Sequence, residues 1–203
     1  MSERSLIRYF MKTSITKQTD KRSAILQAAM ELIAENGFHG SPISMIAERA
    51  GVSVGTIYRY FRNKDEVIHA LYEEVDGRQR TSILRGYSEA LPFRERYFHL
   101  CRNTYRYLME NPLEFSFIEQ YTLSPYGVTT LRQKLDSYVE PFHALFKQGM
   151  EDQIIKELPL MLLFDLTFGP MLNAIMDHNS GLLMLDDELI DLAIGATWDA
   201  VKR

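Results

Sequence analysis

The chain has 203 residues and a formal net charge of −4, a size that fits one ordinary domain or a small domain joined to a larger one. Apolar residues make up 46% of it, enough to bury a core. The single cysteine, Cys101, excludes an internal disulfide and favours a reducing compartment. No apolar run is long enough for a signal peptide or a membrane span, so we expect a cytoplasmic protein without a membrane partner.

Charge is unevenly distributed along the chain. Residues 1–64 contain ten Lys and Arg against five acids, a net charge of +5, and the remainder contains 13 against 22, a net charge of −9. A basic front followed by an acidic remainder favours contact of the front alone with a polyanion. Chance segregation of charge would give the same numbers, so this pattern needs support from a motif.

Helical periodicity runs through the whole sequence, and no alternating strand pattern interrupts it. The pattern predicts an all-α fold of about nine helices. The first four are expected at 20–36, from Pro42 to Gly51, after Ser53 and after Asn63, with Ser41, Ser53 and Asn63 as N-caps. Longer helices are expected at 93–110, 113–123, 127–151, 158–179 and 187–201.

Three short helices, with Gly51 in the turn between the second and the third, match a helix-turn-helix domain. On a helical wheel, Val54, Ile57 and Phe61 cluster on one side of the third helix, and Arg59 lies opposite. Hydroxyls bond phosphates, Arg bonds guanine edges or phosphates, and Gly allows close approach of the backbone. The candidate DNA contacts are Ser41, Ser53, Val54, Gly55, Thr56, Tyr58, Arg59, Tyr60 and Lys64.

The stretch IAERAGVSVGTIYRYFRNKDEVI resembles the TetR family of transcriptional regulators. The residues that carry the resemblance are Ile46, Ala47, Ala50, Gly51, Val52, Ser53, Gly55, Thr56, Tyr58, Phe61 and Lys64, together with AILQAAMELIAENGF at 24–38. One departure is Ser41-Pro42, where the family often has a Thr pair, so position 42 offers no hydroxyl to phosphate.

The resemblance implies a DNA-binding front joined to an all-helical body that senses a ligand and forms dimers. We assign residues 19–65 to the helix-turn-helix domain and 66–203 to the body. Residues 1–18 form a leader, which is either a basic arm on DNA or a disordered tail, and Met11 is an alternative start. The implied partners are a pseudo-palindromic operator, a small-molecule effector and a second copy of the chain.

Aromatic residues are frequent in the body, where they line a pocket for an apolar or aromatic ligand or simply fill the core. The candidates for the pocket are Tyr105, Phe115, Phe117, Tyr121, Tyr138, Phe142 and Phe164. Asp165 lies in the apolar run LMLLFDLTF, so its carboxylate either holds a ligand or lies exposed at a helix edge.

The helices expected at 158–179 and 187–201 are apolar on more than one face, which favours a homodimer interface. A dimer also places two recognition helices on two half-sites. We therefore expect a dimeric repressor released from its operator by a small, largely apolar or aromatic ligand. The alternative is a DNA-binding regulator or architectural factor without such a ligand.

Catalytic chemistry is not indicated by any motif in the sequence. The five histidines are far apart, and no C-x-x-C, GxSxG, P-loop or GxGxxG signature occurs. We therefore expect no enzyme activity, no metal site and no cofactor.

Overall fold

The computed structural model describes the backbone of residues 3–128 and 141–203, and the side chains of residues 20–128 and 141–203. Nine helices have both ends within these ranges: α1 (Glu3–Asn36), α2 (Ile43–Arg49), α3 (Val54–Tyr60), α4 (Lys64–Ile83), α5 (Phe93–Glu110), α6 (Pro112–Thr122), α7 (Phe142–Glu151), α8 (Leu160–Asn179) and α9 (Asp187–Val201). The only strand-like pairing among these residues is an isolated bridge between Ile155 and Lys202. The all-α prediction is confirmed.

The helices after residue 90 lie close to their predicted positions. α5 and α9 have the expected ends, at Phe93–Glu110 and Asp187–Val201. The centre of the helix expected at 127–151 lies outside the described residues, which include its last part as α7. Pro92 and Pro112 mark the two ends of α5 in the sequence, which is why these ends could be predicted.

The beginning of the chain differs from the prediction. α1 begins at Glu3, so the helix includes nearly all of the leader assigned to residues 1–18. No glycine or proline occurs before Gly37, so nothing in the local sequence stops the helix near residue 20. The side chains of residues 1–19 lie outside the described part, and the proposed basic arm stays a prediction.

The chain forms two compact units whose boundary differs from the predicted one at residue 65. The first unit extends through Glu74 and also contains Ser116–Thr122 from α6. The second unit contains Val75–Phe115 and Leu123–Arg203. Both α4 and α6 therefore contribute residues to each unit.

Aromatic packing explains why the end of α6 belongs to the first unit. Tyr121 stacks on Tyr72 of α4, with ring centroids 4.2 Å apart and planes 9° from parallel. Phe117 packs edge-on against Phe38, just beyond α1, at a centroid distance of 6.3 Å. The side chains of Phe117 and Tyr121 are fully buried, so this part of α6 contributes to the core of the first unit. We call the first unit the helix-turn-helix unit, because it contains α2 and α3.

The core of the second unit is built around α5, which packs against α7, α8 and α9. The Tyr97 hydroxyl lies 2.9 Å from the Thr197 hydroxyl and 3.3 Å from that of Thr167, which joins α5 to α9 and α8. A chain of ring contacts continues this core through Tyr97, Phe146, Phe142, Phe168 and Phe164.

Candidate nucleic-acid interface

The turn between α2 and α3 has the geometry that the sequence predicts. Gly51 adopts φ +64°, a conformation that favours glycine. Ser53 is the N-cap of α3, where its Oγ accepts a hydrogen bond of 3.1 Å from the Thr56 amide. The hydroxyls of Ser53 and Thr56 also lie 2.9 Å apart. The cap fixes the start of α3 and holds both hydroxyls at its N-terminus.

The two faces of α3 differ sharply in exposure. Ile57 and Phe61 are buried, with 0% and 3% of their surface exposed. Tyr58, on the other face, is 54% exposed. Val54 is 38% exposed, although the helical wheel groups it with Ile57 and Phe61. Val54 is the first residue of α3, and this exposure is compatible with its other predicted role as a DNA contact.

The exposed face of α3 carries polar groups that the described part of the chain does not use. Arg59 is exposed, and its guanidinium forms no hydrogen bond or ion pair with a described residue. At Gly55, an added Cβ would find its nearest atom, the Ser53 Oγ, at 3.9 Å. Packing within the described part of the chain therefore does not require glycine at this position. Tyr60 is partly exposed beside the ring of Phe61.

Ser41 does not have its predicted role. The N-cap of α2 is Pro42, and no side chain caps this helix. The Ser41 hydroxyl is fully buried and donates a 2.7 Å hydrogen bond to the Gly37 carbonyl. It closes the turn after α1, so it is unavailable to phosphate.

Lys64 has an internal contact that the sequence did not indicate. Its Nζ donates to the carbonyl of Phe38, and burial lowers the pKa of this amine. The ammonium has three donors, so two can still bind phosphate. The predicted cap at Asn63 is confirmed, because its Oδ1 accepts a 2.9 Å bond from the Glu66 amide. Lys64 therefore begins a well-capped helix and connects it to the end of α1.

Two arginines near this surface behave differently. Arg49 forms two bonds, of 3.0 and 2.9 Å, to the Glu35 carboxylate of α1 and is committed to packing α2. Arg62 is exposed, lies one residue before the Asn63 cap, and has no side-chain bond to a described residue. The sequence analysis missed Arg62, although its position beside the cap of α4 places it near Lys64.

The predicted ligand residues are divided between the two units. Tyr105, Phe115, Phe142 and Phe164 are buried in the second unit, whereas Phe117 and Tyr121 belong to the first. Tyr138 lies outside the described residues. Phe142 packs against Phe168 at 4.8 Å between centroids, so at least this ring serves as core.

Asp165 is exposed on α8, which agrees with the second of its two predicted alternatives, and a ligand role for it stays a prediction. Its neighbours at helical spacing form one exposed or half-exposed stripe of Met161, Leu162, Gly169, Leu172 and Met176. By length and composition α8 would qualify as a membrane span, which differs from the expectation from the sequence, and 28% of its apolar window is buried within the chain. Length and composition alone do not distinguish such a span from a core helix of a soluble protein. Among the described side chains, no cluster of His, Cys, Asp or Glu could hold a metal ion.

A capped recognition helix with an exposed Arg and Tyr, a glycine turn and a basic front define a helix-turn-helix DNA-binding protein. Residues 25–71 match the model for bacterial regulatory proteins of the tetR family, and residues 92–202 match the tetracyclin repressor-like C-terminal domain. The chain belongs to the TetR family and is a DNA-binding transcriptional regulator, not an enzyme.

Similar proteins include regulators with known structures. The fatty acid metabolism regulator protein of Bacillus subtilis is 29% identical over 177 residues, which cover 85% of this chain and 88% of the relative. A TetR family regulator from Marinobacter aquaeolei is 27% identical, with a TM-score of 0.84 over 93% of this chain and 99% of its own. The B. subtilis regulator FadR, solved with stearoyl-CoA, shares the fold at 22% identity, with a TM-score of 0.68 over 87% of this chain and 95% of its own.

Proposed function

We propose that the protein is a cytoplasmic homodimeric repressor that a long-chain acyl-CoA releases from a pseudo-palindromic operator. The observation that carries the DNA part is the outer face of α3, where Tyr58 and Arg59 are exposed on a capped helix. Arg62 and Lys64 extend the basic surface to the start of α4, where they would bond phosphates.

The acyl ligand is supported by two observations. The B. subtilis relative is named for fatty acid metabolism and is 29% identical over most of this chain. The second unit has an aromatic and aliphatic interior, which suits a hydrocarbon chain better than a polar metabolite. Together, these two observations narrow the expected class of effector from apolar or aromatic compounds in general to acyl compounds.

The dimer is supported by the stripe on α8. Met161, Leu162 and Met176 are between 38% and 44% exposed, and Leu192 on α9 is 64% exposed. Apolar residues grouped in this way favour burial against a second copy. Two copies would present two α3 helices to successive half-sites.

Release follows if the acyl ligand prefers one arrangement of the dimer and the operator prefers another. α4 and α6 are the helices that contribute to both units, so they would transmit the preference. The ligand would thereby lower the population that binds DNA.

Fluorescence anisotropy tests the proposal with labelled DNA from directly upstream of the protein's own gene. We expect binding that weakens steeply with salt, because cationic side chains displace counterions from phosphates. Palmitoyl-CoA should then release the DNA, while free CoA should not. Binding that no acyl, aromatic or cationic compound disturbs would support a regulator without a ligand, and no salt-dependent binding would refute both versions.

A further inference from the structure

Tyr105 has a buried hydroxyl without a partner in the described part of the chain. The side chain is 1% exposed on α5, in the middle of the second unit, and its Oη forms no hydrogen bond there. A buried hydroxyl that makes no bond costs free energy, because it has lost its water without a replacement. Phenylalanine would occupy nearly the same volume without that cost.

Two other tyrosines on the same helix show that α5 otherwise satisfies its phenols. The Tyr97 hydroxyl lies within bonding distance of Thr197 and Thr167, at 2.9 and 3.3 Å. The Tyr107 hydroxyl donates to the Glu114 carboxylate. Tyr105 is the exception among the three. Because buried hydroxyls normally have a hydrogen-bond partner, we expect Tyr105 to have one that the described chain does not supply.

The surroundings of Tyr105 keep this hydroxyl neutral and able to donate. Burial raises the pKa of the Tyr105 phenol to about 12, and burial also raises the pKa of the Cys101 thiol one turn earlier. Neither group carries a charge at neutral pH. The position therefore suits a neutral acceptor with apolar material around it.

We infer that the Tyr105 hydroxyl donates a hydrogen bond to the carbonyl oxygen of the acyl effector. This inference rests on the proposed function and adds the polar anchor of the ligand. A thioester has one carbonyl at the end of a long hydrocarbon chain, so a single buried donor is enough to fix its position. The aromatic rings of the second unit would contact the hydrocarbon.

The test compares two ligands on two proteins. Palmitoyl-CoA contains the carbonyl, and S-hexadecyl-CoA is the thioether of the same chain length without it. Full-length wild-type protein and Tyr105→Phe would each be titrated with both ligands by calorimetry, with operator release followed in parallel. We expect the wild type to bind the thioester about tenfold more tightly than the thioether, as one hydrogen bond allows.

Tyr105→Phe should bind the two ligands equally and should need about tenfold more palmitoyl-CoA to release DNA. Without ligand, its melting temperature should rise, because the unpaired hydroxyl is gone, and its operator affinity should not change. Tyr97→Phe is the matched control: it removes a bonded hydroxyl from α5, so it should lower the melting temperature and keep the thioester preference.

The outcomes separate the two proposals. If the wild type binds neither ligand, both the acyl effector and the anchor are wrong. If the wild type responds to palmitoyl-CoA and Tyr105→Phe keeps the full preference for the thioester, only the anchor is wrong. A wild type that responds but binds both ligands equally also overturns the anchor.

Discussion

Arg59 is an exposed cation on α3 whose guanidinium bonds no described residue. Arg59→Ala should weaken operator binding by about 1–3 kcal/mol and relax the preference at one base pair, because Arg pairs with guanine edges. Anisotropy on the operator and on singly substituted sites would measure both effects. Arg106→Ala removes a surface arginine that pairs with Asp187 in the second unit, and it should leave binding unchanged. Unchanged affinity and preference in Arg59→Ala would show that another face of α3 meets DNA.

Lys64 combines an internal bond with a proposed phosphate contact. Lys64→Ala should weaken binding about evenly across DNA sequences and lower the salt slope by about one, as expected for one lost phosphate contact. It should also lower the melting temperature, because the Phe38 carbonyl loses its donor. An unchanged melting temperature would mean that this bond contributes nothing to stability, and an unchanged salt slope would exclude the phosphate contact.

Serines show how far single residues could be predicted. Ser53 directly precedes a helix, and serine is a preferred N-cap residue, which is enough to predict its cap. Ser41 also precedes a helix, yet its hydroxyl turns toward the Gly37 carbonyl. That choice depends on where the end of α1 lies in space, which local sequence does not specify.

α6 is the element whose contribution is least visible in the sequence. Its first residues belong to the second unit and Ser116–Thr122 to the first, although the sequence shows one uninterrupted helix. Tertiary packing decides that Phe117 contacts Phe38 and that Tyr121 contacts Tyr72, and the local sequence of α6 does not specify these partners. Aromatic content alone led to the prediction that both line a ligand pocket, whereas their observed ring contacts are with the helix-turn-helix unit.

Tyr121→Ala should therefore destabilise the helix-turn-helix unit, although residue 121 is far from α3 in sequence. Loss of a buried aromatic side chain costs about 3–5 kcal/mol, through lost burial and the cavity that remains. Urea denaturation followed by circular dichroism would measure this, and operator affinity should fall with it. Tyr58→Ala is the matched control: an exposed tyrosine is lost, so stability should change by less than about 0.5 kcal/mol while DNA binding weakens. Equal stability of the two variants would contradict the assignment of α6.

At the scale of the whole molecule, the dimer proposal rests on the exposed apolar residues of α8 and α9. Leu192→Glu should produce monomers and weaken operator binding, because a carboxylate would be buried in the interface without a partner. Sedimentation velocity would report the mass. Leu123→Glu is the control, since Leu123 is 82% exposed and belongs to neither helix but directly follows α6. A Leu192→Glu protein that remains dimeric would place the interface elsewhere.

The division of the chain into two units also affects how chimeric sensors should be built from this protein. Exchanging its DNA-binding part by a cut after residue 65 would keep Tyr121 on its native Tyr72, but it would leave Phe117 against a foreign residue in place of Phe38. A graft that carries residues up to Glu74 and also transplants Ser116–Thr122 would keep the original ring contacts together. Operator specificity is therefore modular in this chain only when the exchanged module includes two separate segments of sequence.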